Sequence, residues 1–370
     1  MKNKKLYGSC LALLSLVSCI QDEPLCPEAE ITAFSIPSQI AFSDPVINQG
    51  TNTIEVFVKE NADLTRIAPS LEVNENSTLS PESGTYQDFS DPVVYTVTAE
   101  DRVHTRAYTV NILPMTSDIF TPLMKTFPFN HWVENPTLHY EYPVQQLESG
   151  ATFNLFSSSN QGVSLYQQFP DPQQYPTHSV EYHGGKAVEL ITKKGPGDIL
   201  GLQYIPIIAG SLFTGKMNLL NALENPRKAT EMGQPFNQLP KRLKGWYKYK
   251  AGSGDYIGSD GKPQPGRPDS CALYAVFYKT DETLKTLDGT NILTHDNIVS
   301  IAMLPDRSST SGDDLVAFDI PFENTGRQDV DFSKNTYKLA LVLSSSFYGD
   351  LYEGTPGSTL VVDNVEIVTE

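Results

Sequence analysis

Apolar residues recur at every second position in short runs between residues 31 and about 113. Ile54, Val56 and Val58 alternate with Thr53, Glu55 and Phe57. Val93, Tyr95 and Val97 alternate with Val94, Thr96 and Thr98, and Tyr108, Val110 and Ile112 repeat the pattern. A period of two over such lengths predicts half-buried strands. Ser43-Asp44-Pro45, Asn48-Gln49-Gly50 and Ser80-Pro81-Glu82-Ser83-Gly84 punctuate them with turn chemistry. Short strands with frequent turns over about 85 residues predict a small sandwich. The stretch 113–122, with Pro114, Ser117-Asp118 and Thr121-Pro122, reads as a hinge. Beyond it the β pattern continues in one larger domain of about 250 residues. Residues 271–278 are apolar on both faces, which predicts a central strand. Tyr337, Leu339, Leu341 and Leu343 alternate with Lys338, Ala340, Val342 and Ser344. The one helix-like stretch is 216–224, ended by Asn225-Pro226. The chain is therefore expected to be all-β, a small sandwich followed by a larger one.

The first residues follow another logic. Lys2, Lys4 and Lys5 precede an apolar run from Leu11 to Val17, far short of the roughly 20 residues that span a bilayer. Leu16-Val17-Ser18-Cys19 closes it. A charged start, a short apolar core and a small residue before the cut make an export signal. With the cysteine directly behind, the stretch resembles a bacterial lipoprotein signal. That resemblance implies that residues 1–18 are removed and that Cys19 carries the lipid, tethering the protein to a membrane through the anchor only. Asp22 and Glu23, just behind Cys19, resemble the export signal of Bacteroidetes surface lipoproteins and imply the outer surface of the outer membrane. Residues 19–30, rich in Glu and Pro, read as a tether.

Charge and cysteines narrow the partners. The net charge is −17, and loss of Lys2, Lys4 and Lys5 takes it to about −20. So acidic a surface repels phosphate backbones, which argues against nucleic acid. Cys10 leaves with the signal, so Cys26 and Cys271 remain besides Cys19. Two distant thiols make neither a disulfide framework nor a metal spacing.

Ala62-Asp63-Leu64-Thr65, the Pro81–Gly84 turn and Tyr95-Thr96-Val97-Thr98-Ala99-Glu100-Asp101 resemble the immunoglobulin-like spacers of Bacteroidetes lipoproteins. That implies a stalk over residues 31–116. A second resemblance covers roughly 127–370. Its residues are Ser157-Ser158-Ser159-Asn160-Gln161-Gly162, Tyr175-Pro176-Thr177, Ala209-Gly210-Ser211-Leu212-Phe213-Thr214-Gly215 and Gly233-Gln234-Pro235-Phe236. Further on are Leu243-Lys244-Gly245-Trp246-Tyr247-Lys248-Tyr249, Asp269–Ala275 and Ser358–Val365. Together they resemble the "putative carbohydrate metabolism domain" of Bacteroidetes (PCMD). The resemblance implies a jelly roll like galactose-binding modules over residues 117–370, and it brings no catalytic motif. Phe156 stands where a tryptophan is expected and Asn130 where an acid is usual.

No Gly-x-Ser-x-Gly elbow, His-Glu-x-x-His, Walker loop or Cys-x-x-Cys pair occurs. Glycoside hydrolysis needs two carboxylates about 5–10 Å apart in space, which scattered acids such as Asp255, Asp260, Asp269, Asp319 and Glu323 do not reveal. His178 and His183 are five apart, so a strand would point them to opposite sides. Sugar recognition by a sandwich needs flat aromatic faces and a few fixed polar groups. Trp246, Tyr247 and Tyr249 are the densest aromatic cluster. On a strand Trp246 shares a face with Lys248, which prefers solvent, so Trp246 is expected to be exposed. Tyr249 and Trp132 are further carbohydrate-binding candidates, each with a core role as its alternative. Asp255 is the polar candidate, in the loop 251–270, which reads either as plain flexible loop or as a ligand contact.

Asp363 shares a period-two face with Val361, Val365 and Ile367. If that face is buried the carboxylate needs donors, an arginine or a cation. The resemblance to jelly-roll sugar modules implies a structural calcium there; a bulge at Asn364 that turns Asp363 to solvent is the alternative. The expected function is non-catalytic glycan binding by a surface lipoprotein. A glycoside hydrolase whose acid pair the fold creates, and a structural adhesin or assembly protein, are the alternatives.

Overall fold

The computed structural model describes residues 25–42, 45–116, 121–147, 152–199, 203–218 and 225–369, and the statements that follow concern those residues. The signal segment, Cys19, Asp22 and Glu23 lie outside them. The chain is all-β. In the first part, one sheet orders Val46–Asn48, Thr53–Lys59, Thr105–Met115, Val93–Thr98 and Thr78–Ser80. Thr53–Lys59 and Thr105–Met115 run parallel. The pair Ile31–Ser35 and Ser70–Val73 packs against this sheet. Ile54, Val56, Val58, Tyr95, Val97, Tyr108 and Val110 fill the core as alternation predicts. Phe57 faces the other way, and its ring meets Phe153 edge-on at 4.7 Å, so the two parts share packing. The expected hinge begins as strand: Leu113 to Met115 end Thr105–Met115, and Met115 is buried in the larger core.

The second part is a sandwich of two sheets. The first orders Phe156–Ser158, Ser211–Met217, Thr336–Ser344, Ala272–Thr280, Ile298–Met303 and Glu323–Asn324. The second orders Thr177–Tyr182, Gly185–Ile191, Thr359–Thr369, Pro240–Lys250 and Val316–Pro321. Leu273, Ala275, Phe277, Leu339, Leu341 and Leu343 from the first meet Leu243, Tyr247, Tyr249, Leu360 and Val362 from the second. The central strand is where the double-sided apolar run placed it, with Ala272 to Tyr278 all buried.

Thr336–Ser344 is also buried on both faces, because Ala340 and Val342 join an outer cluster roofed by Leu284, Leu287 and Ile292. The helical reading of 216–224 is corrected where it is described. Lys216 and Met217 end a strand that pairs with Thr230–Met232, and 219–224 lie outside the described residues. A short helix does form at Ser159–Val163, started by a reciprocal cap between Ser158 and Gln161.

Two glycines show why particular motif positions carry no side chain. A Cβ on Gly210 would lie 2.3 Å from the Pro176 carbonyl oxygen and 2.4 Å from the Ile191 nitrogen. One on Gly245, at φ +156°, would lie 2.7 Å from the Phe318 ring.

Candidate functional site

The site begins with a ladder that changes count. On the terminal strand Glu366 pairs with Lys244, but Asp363 pairs with Trp246, so one strand carries an extra residue there. Asn364, at φ +48°, takes up that residue as a bulge. Val365 and Ile367 therefore point into the core, while Val361 and Asp363 share the opposite face. The expectation that all four share one face is corrected by this bulge. The expected consequence, Asp363 turned to solvent, is corrected too: the residue is only 8% exposed.

A hairpin tip encloses it. Val188 to Ile191 pair with the terminal strand, but the ladder stops there, and Phe127 takes the neighbouring place opposite Val365. The free end of the hairpin, Tyr182-His183-Gly184-Gly185, extends beyond the part paired with the terminal strand, and His183 comes near Asp363. Tyr182 Oη accepts a hydrogen bond from Leu315 N at 3.3 Å, at the start of the opposite edge strand. The His183 ring lies against Tyr182, centroids 4.2 Å apart.

Burial pushes the Asp363 carboxyl up. The Asn364 backbone N–H and side-chain amide, each at 2.8 Å, and the nearby His183 oppose that shift.

Beside this enclosed carboxylate stands Trp246, 49% exposed on the same outer face. Its other cross-strand neighbour is Ala317, too small to cover the indole. Lys248 shares the face as the alternation requires, and its Nζ donates to Asp313 O at 2.7 Å and reaches Asp313 Oδ1 at 3.3 Å. Arg242 and Lys244 hold Asp319 farther along, at 2.5 and 3.7 Å. The surface thus offers one apolar ring face, a carboxylate that accepts hydrogen bonds, and a fringe of internally paired charges. Such a surface suits a ligand with a C–H-rich face and hydroxyl donors.

The other sequence candidates do not join it. Tyr249 is wholly enclosed between the sheets, so it presents no face to a ligand. Trp132 is half-buried against the main core, with Nε1 donating to the Phe129 carbonyl at 2.6 Å. Asp255 is exposed in the segment 251–270, at the end of the sandwich beyond Lys250. That segment is ordered structure rather than a free loop. It forms a small hairpin, Tyr256–Ile257 with Pro263–Gln264, and buries Tyr256 under Arg267, whose guanidinium lies 3.8 Å above the ring. It does not close over Trp246; the segment 310–315 flanks that face instead.

Two features escaped the sequence. The hairpin tip was signalled only by Gly184-Gly185, which marks a turn but not what the turn covers. Asp269, read as one of the scattered acids, is buried. Its Oδ2 accepts from Ser346 Oγ, Ser358 Oγ and Thr355 N at 2.6, 2.7 and 2.8 Å. His178 is also buried, between Tyr175 O and Glu189 Oε2, each at 2.9 Å. Among the described residues no group of three or more His, Cys, Asp or Glu is placed to hold a metal ion.

The second part is thus a two-sheet β sandwich with an exposed indole beside a buried carboxylate. Residues 128–368 match the family described as "Putative carbohydrate metabolism domain", and the chain belongs to that family. Residues 31–112 match "SGBP, N-terminal". A crystal structure of a "putative glycoside hydrolase" from Bacteroides thetaiotaomicron is 33% identical over 95% of this chain and 99% of its own, with a TM-score of 0.66. Another so described, from Bacteroides vulgatus, is 32% identical over 66% of this chain and 98% of its own, with a TM-score of 0.59. No curated protein matches the chain.

Proposed function

We propose that the protein is a lipid-anchored protein of the outer-membrane surface that binds glycan without cleaving it, on the outer face of the second sheet around Trp246. The observation that carries this is the exposed indole set beside the enclosed Asp363. An indole face left open on a sheet surface can stack against the C–H-rich face of a sugar ring. The match of residues 31–112 to a surface glycan-binding protein segment supports both the location and the ligand class. Residues 31–116 then act as the spacer that holds the sandwich 117–370 away from the membrane.

Hydrolysis is the second reading, favoured by the descriptions of the two solved relatives. The carboxylates around Trp246 argue against it. Asp313 is engaged by Lys248, Asp319 by Arg242 and Lys244, and Asp363 by Asn364.

The test is Trp246→Ala on a glycan array followed by calorimetry. Loss of a stacking platform removes about 1–2 kcal/mol, a tenfold or greater loss of affinity. The melting temperature stays where it was, since the ring is not in the core. Undiminished glycan binding by this variant, or a large fall in melting temperature, rejects the site.

A further inference from the structure

A second recess lies away from Trp246, at the free edge of the first sheet. Phe156–Ser158 is that edge, paired only with Ser211–Met217. Beside it opens a cavity of about 160 Å³, lined among others by Asn135, Tyr140, Tyr142, Asn154, Phe156 and Gln161. The three side-chain amides share one arrangement. Asn135 Oδ1 accepts from the backbone N–H groups of Thr137 and Leu138 at 3.0 and 2.9 Å. Asn154 Oδ1 accepts from Phe156 N at 3.0 Å. Gln161 Oε1 accepts from Ser158 N at 3.3 Å.

A backbone N–H can only donate, so the oxygen of each amide must be the atom that faces it. Each NH₂ group is thereby fixed in the remaining direction. Among the described residues, Asn154 Nδ2 and Gln161 Nε2 have no acceptor within hydrogen-bond distance. The recess is thus furnished with oriented donors whose partners are not in the protein.

Three further facts define what fits. None of the nine lining residues carries a charge, so an anionic group would enter without a counter-ion, at high cost. The rings of Tyr140 and Tyr142, tilted 56° with centroids 6.3 Å apart, stand with Phe156 and Leu212 as apolar walls for C–H surface. The volume is that of about five waters at ~30 Å³ each, room for one sugar ring and not for a chain.

We propose that this recess is a second glycan subsite, which holds the terminal pyranose of a neutral glycan through its acceptor oxygens. The proposal rests on the reading of the chain as a glycan binder, but not on Trp246, which lies on the other sheet.

Asn154→Asp and Gln161→Glu test it. Each keeps the oxygen that the backbone N–H needs and replaces the donor NH₂ by a second acceptor, so the local fold is retained. The full chain is titrated with the methyl glycosides of glucose, N-acetylglucosamine and glucuronic acid, by saturation-transfer NMR. The expected result is that one or both neutral glycosides bind, the glucuronide does not, and each variant weakens binding at least tenfold at an unchanged melting temperature. The titration is repeated in a Trp246→Ala background, so that binding at the recess is read apart from any at Trp246. The proposal is overturned if the parent binds neither neutral glycoside, if the glucuronide binds best, or if both variants bind like the parent. Failure here with a glycan-binding defect in Trp246→Ala leaves the platform standing; the reverse pattern removes the platform and leaves the recess.

Discussion

Trp246 and Asp363 are cross-strand partners at the one point where the ladder between Pro240–Lys250 and Thr359–Thr369 gains a residue on the terminal strand. That offset places a carboxylate and an indole side by side on an outer face. Without it Asp363 would follow Val365 and Ile367 into the core. The hairpin tip at Tyr182 and His183 then shields the carboxylate while leaving the indole open.

Asp363 should make stability depend on pH in a predictable direction. Burial raises its folded-state pKa above the ordinary aspartate value. The native state then holds the proton more tightly than the unfolded chain, so stability falls as pH rises from about 4 through the raised value. Below that window both states are protonated and the effect vanishes. Asp363→Asn keeps an acceptor for the Asn364 N–H and removes the ionisation. Its melting temperature should exceed the parent's at pH 7 and match it at pH 3. A chelator titration runs alongside: a fall in melting temperature in the parent but not in the variant would make Asp363 a cation ligand, and the pH argument would fail with it.

The two tryptophans and Tyr249 should separate by what they cost. Trp132→Ala removes a half-buried ring and its bond to Phe129 O, a loss of about 3 kcal/mol in stability with glycan affinity retained. Tyr249 is the opposite case. Its hydroxyl is buried without a hydrogen bond of ordinary geometry, although the Ser358 side chain lies near enough to oppose the upward push of burial on its pKa. Tyr249→Phe removes an unsatisfied polar atom and should be neutral or stabilising by about 1 kcal/mol. Chemical denaturation of both variants reads this directly. A Tyr249→Phe variant that is destabilised by more than that would show that the hydroxyl has a partner.

The strands were legible because period two is a local signal. Period two puts Trp246 and Tyr249 on opposite faces and Lys248 marks the outer one, while the double-sided run at 271–278 marked the central strand. What was hidden depends on contacts distant in sequence. Counting by twos from Val361 fails at Asn364, because a bulge is a property of two paired strands and not of one. Asp269 looks like any acid in a polar segment, and its donors come from residues 77 to 89 positions away. The recess at Asn154 and Gln161 draws on three separate segments of the edge. Gly210 and Gly245 were visible as motif letters, but the backbone and ring that exclude a Cβ there belong to other strands.

The proposed membrane attachment rests on Cys19, and its test is separate from the fold. Cys19→Ala should move the protein from the detergent phase to the aqueous phase, because lipid chains contribute about 0.8 kcal/mol per buried CH₂ and their loss removes the anchor. Asp22→Ala with Glu23→Ala should keep the lipid but reduce protease access on whole cells. Unchanged partitioning of Cys19→Ala would remove the anchor from the account.

The last expectation concerns Asp269, which ties two segments together beside the Ile257–Gly354 backbone bridge and the Arg267–Glu353 ion pair. Its Oδ2 takes three donors from Ser346, Thr355 and Ser358, and its Oδ1 takes the Ser270 N–H at 2.8 Å. Thr192 Oγ1 lies 2.8 and 2.6 Å from the hydroxyls of Ser345 and Ser346, so the cluster extends to the strand end beyond Ile191. Hydroxyls can rotate to new partners, but the Thr355 N–H is fixed. Asp269→Asn turns one acceptor oxygen into a donor, and whichever way the amide points, donors are left facing donors. Asp269→Ala leaves the Thr355 and Ser270 N–H groups without this acceptor. Leaving buried donors of this kind unsatisfied costs roughly 1–3 kcal/mol each. At roughly 2–4 °C per kcal/mol for a domain of this size, a loss of about 3 kcal/mol lowers the melting temperature by about 6–12 °C. The same change should expose 251–270 and 345–358 to proteolysis first, since the buried bonds that both lose are those to this carboxylate. Glycan affinity at Trp246, measured below the transition, should be retained. A variant that melts with the parent, or that is cleaved elsewhere first, would show that the cluster is not what holds this end of the sandwich together.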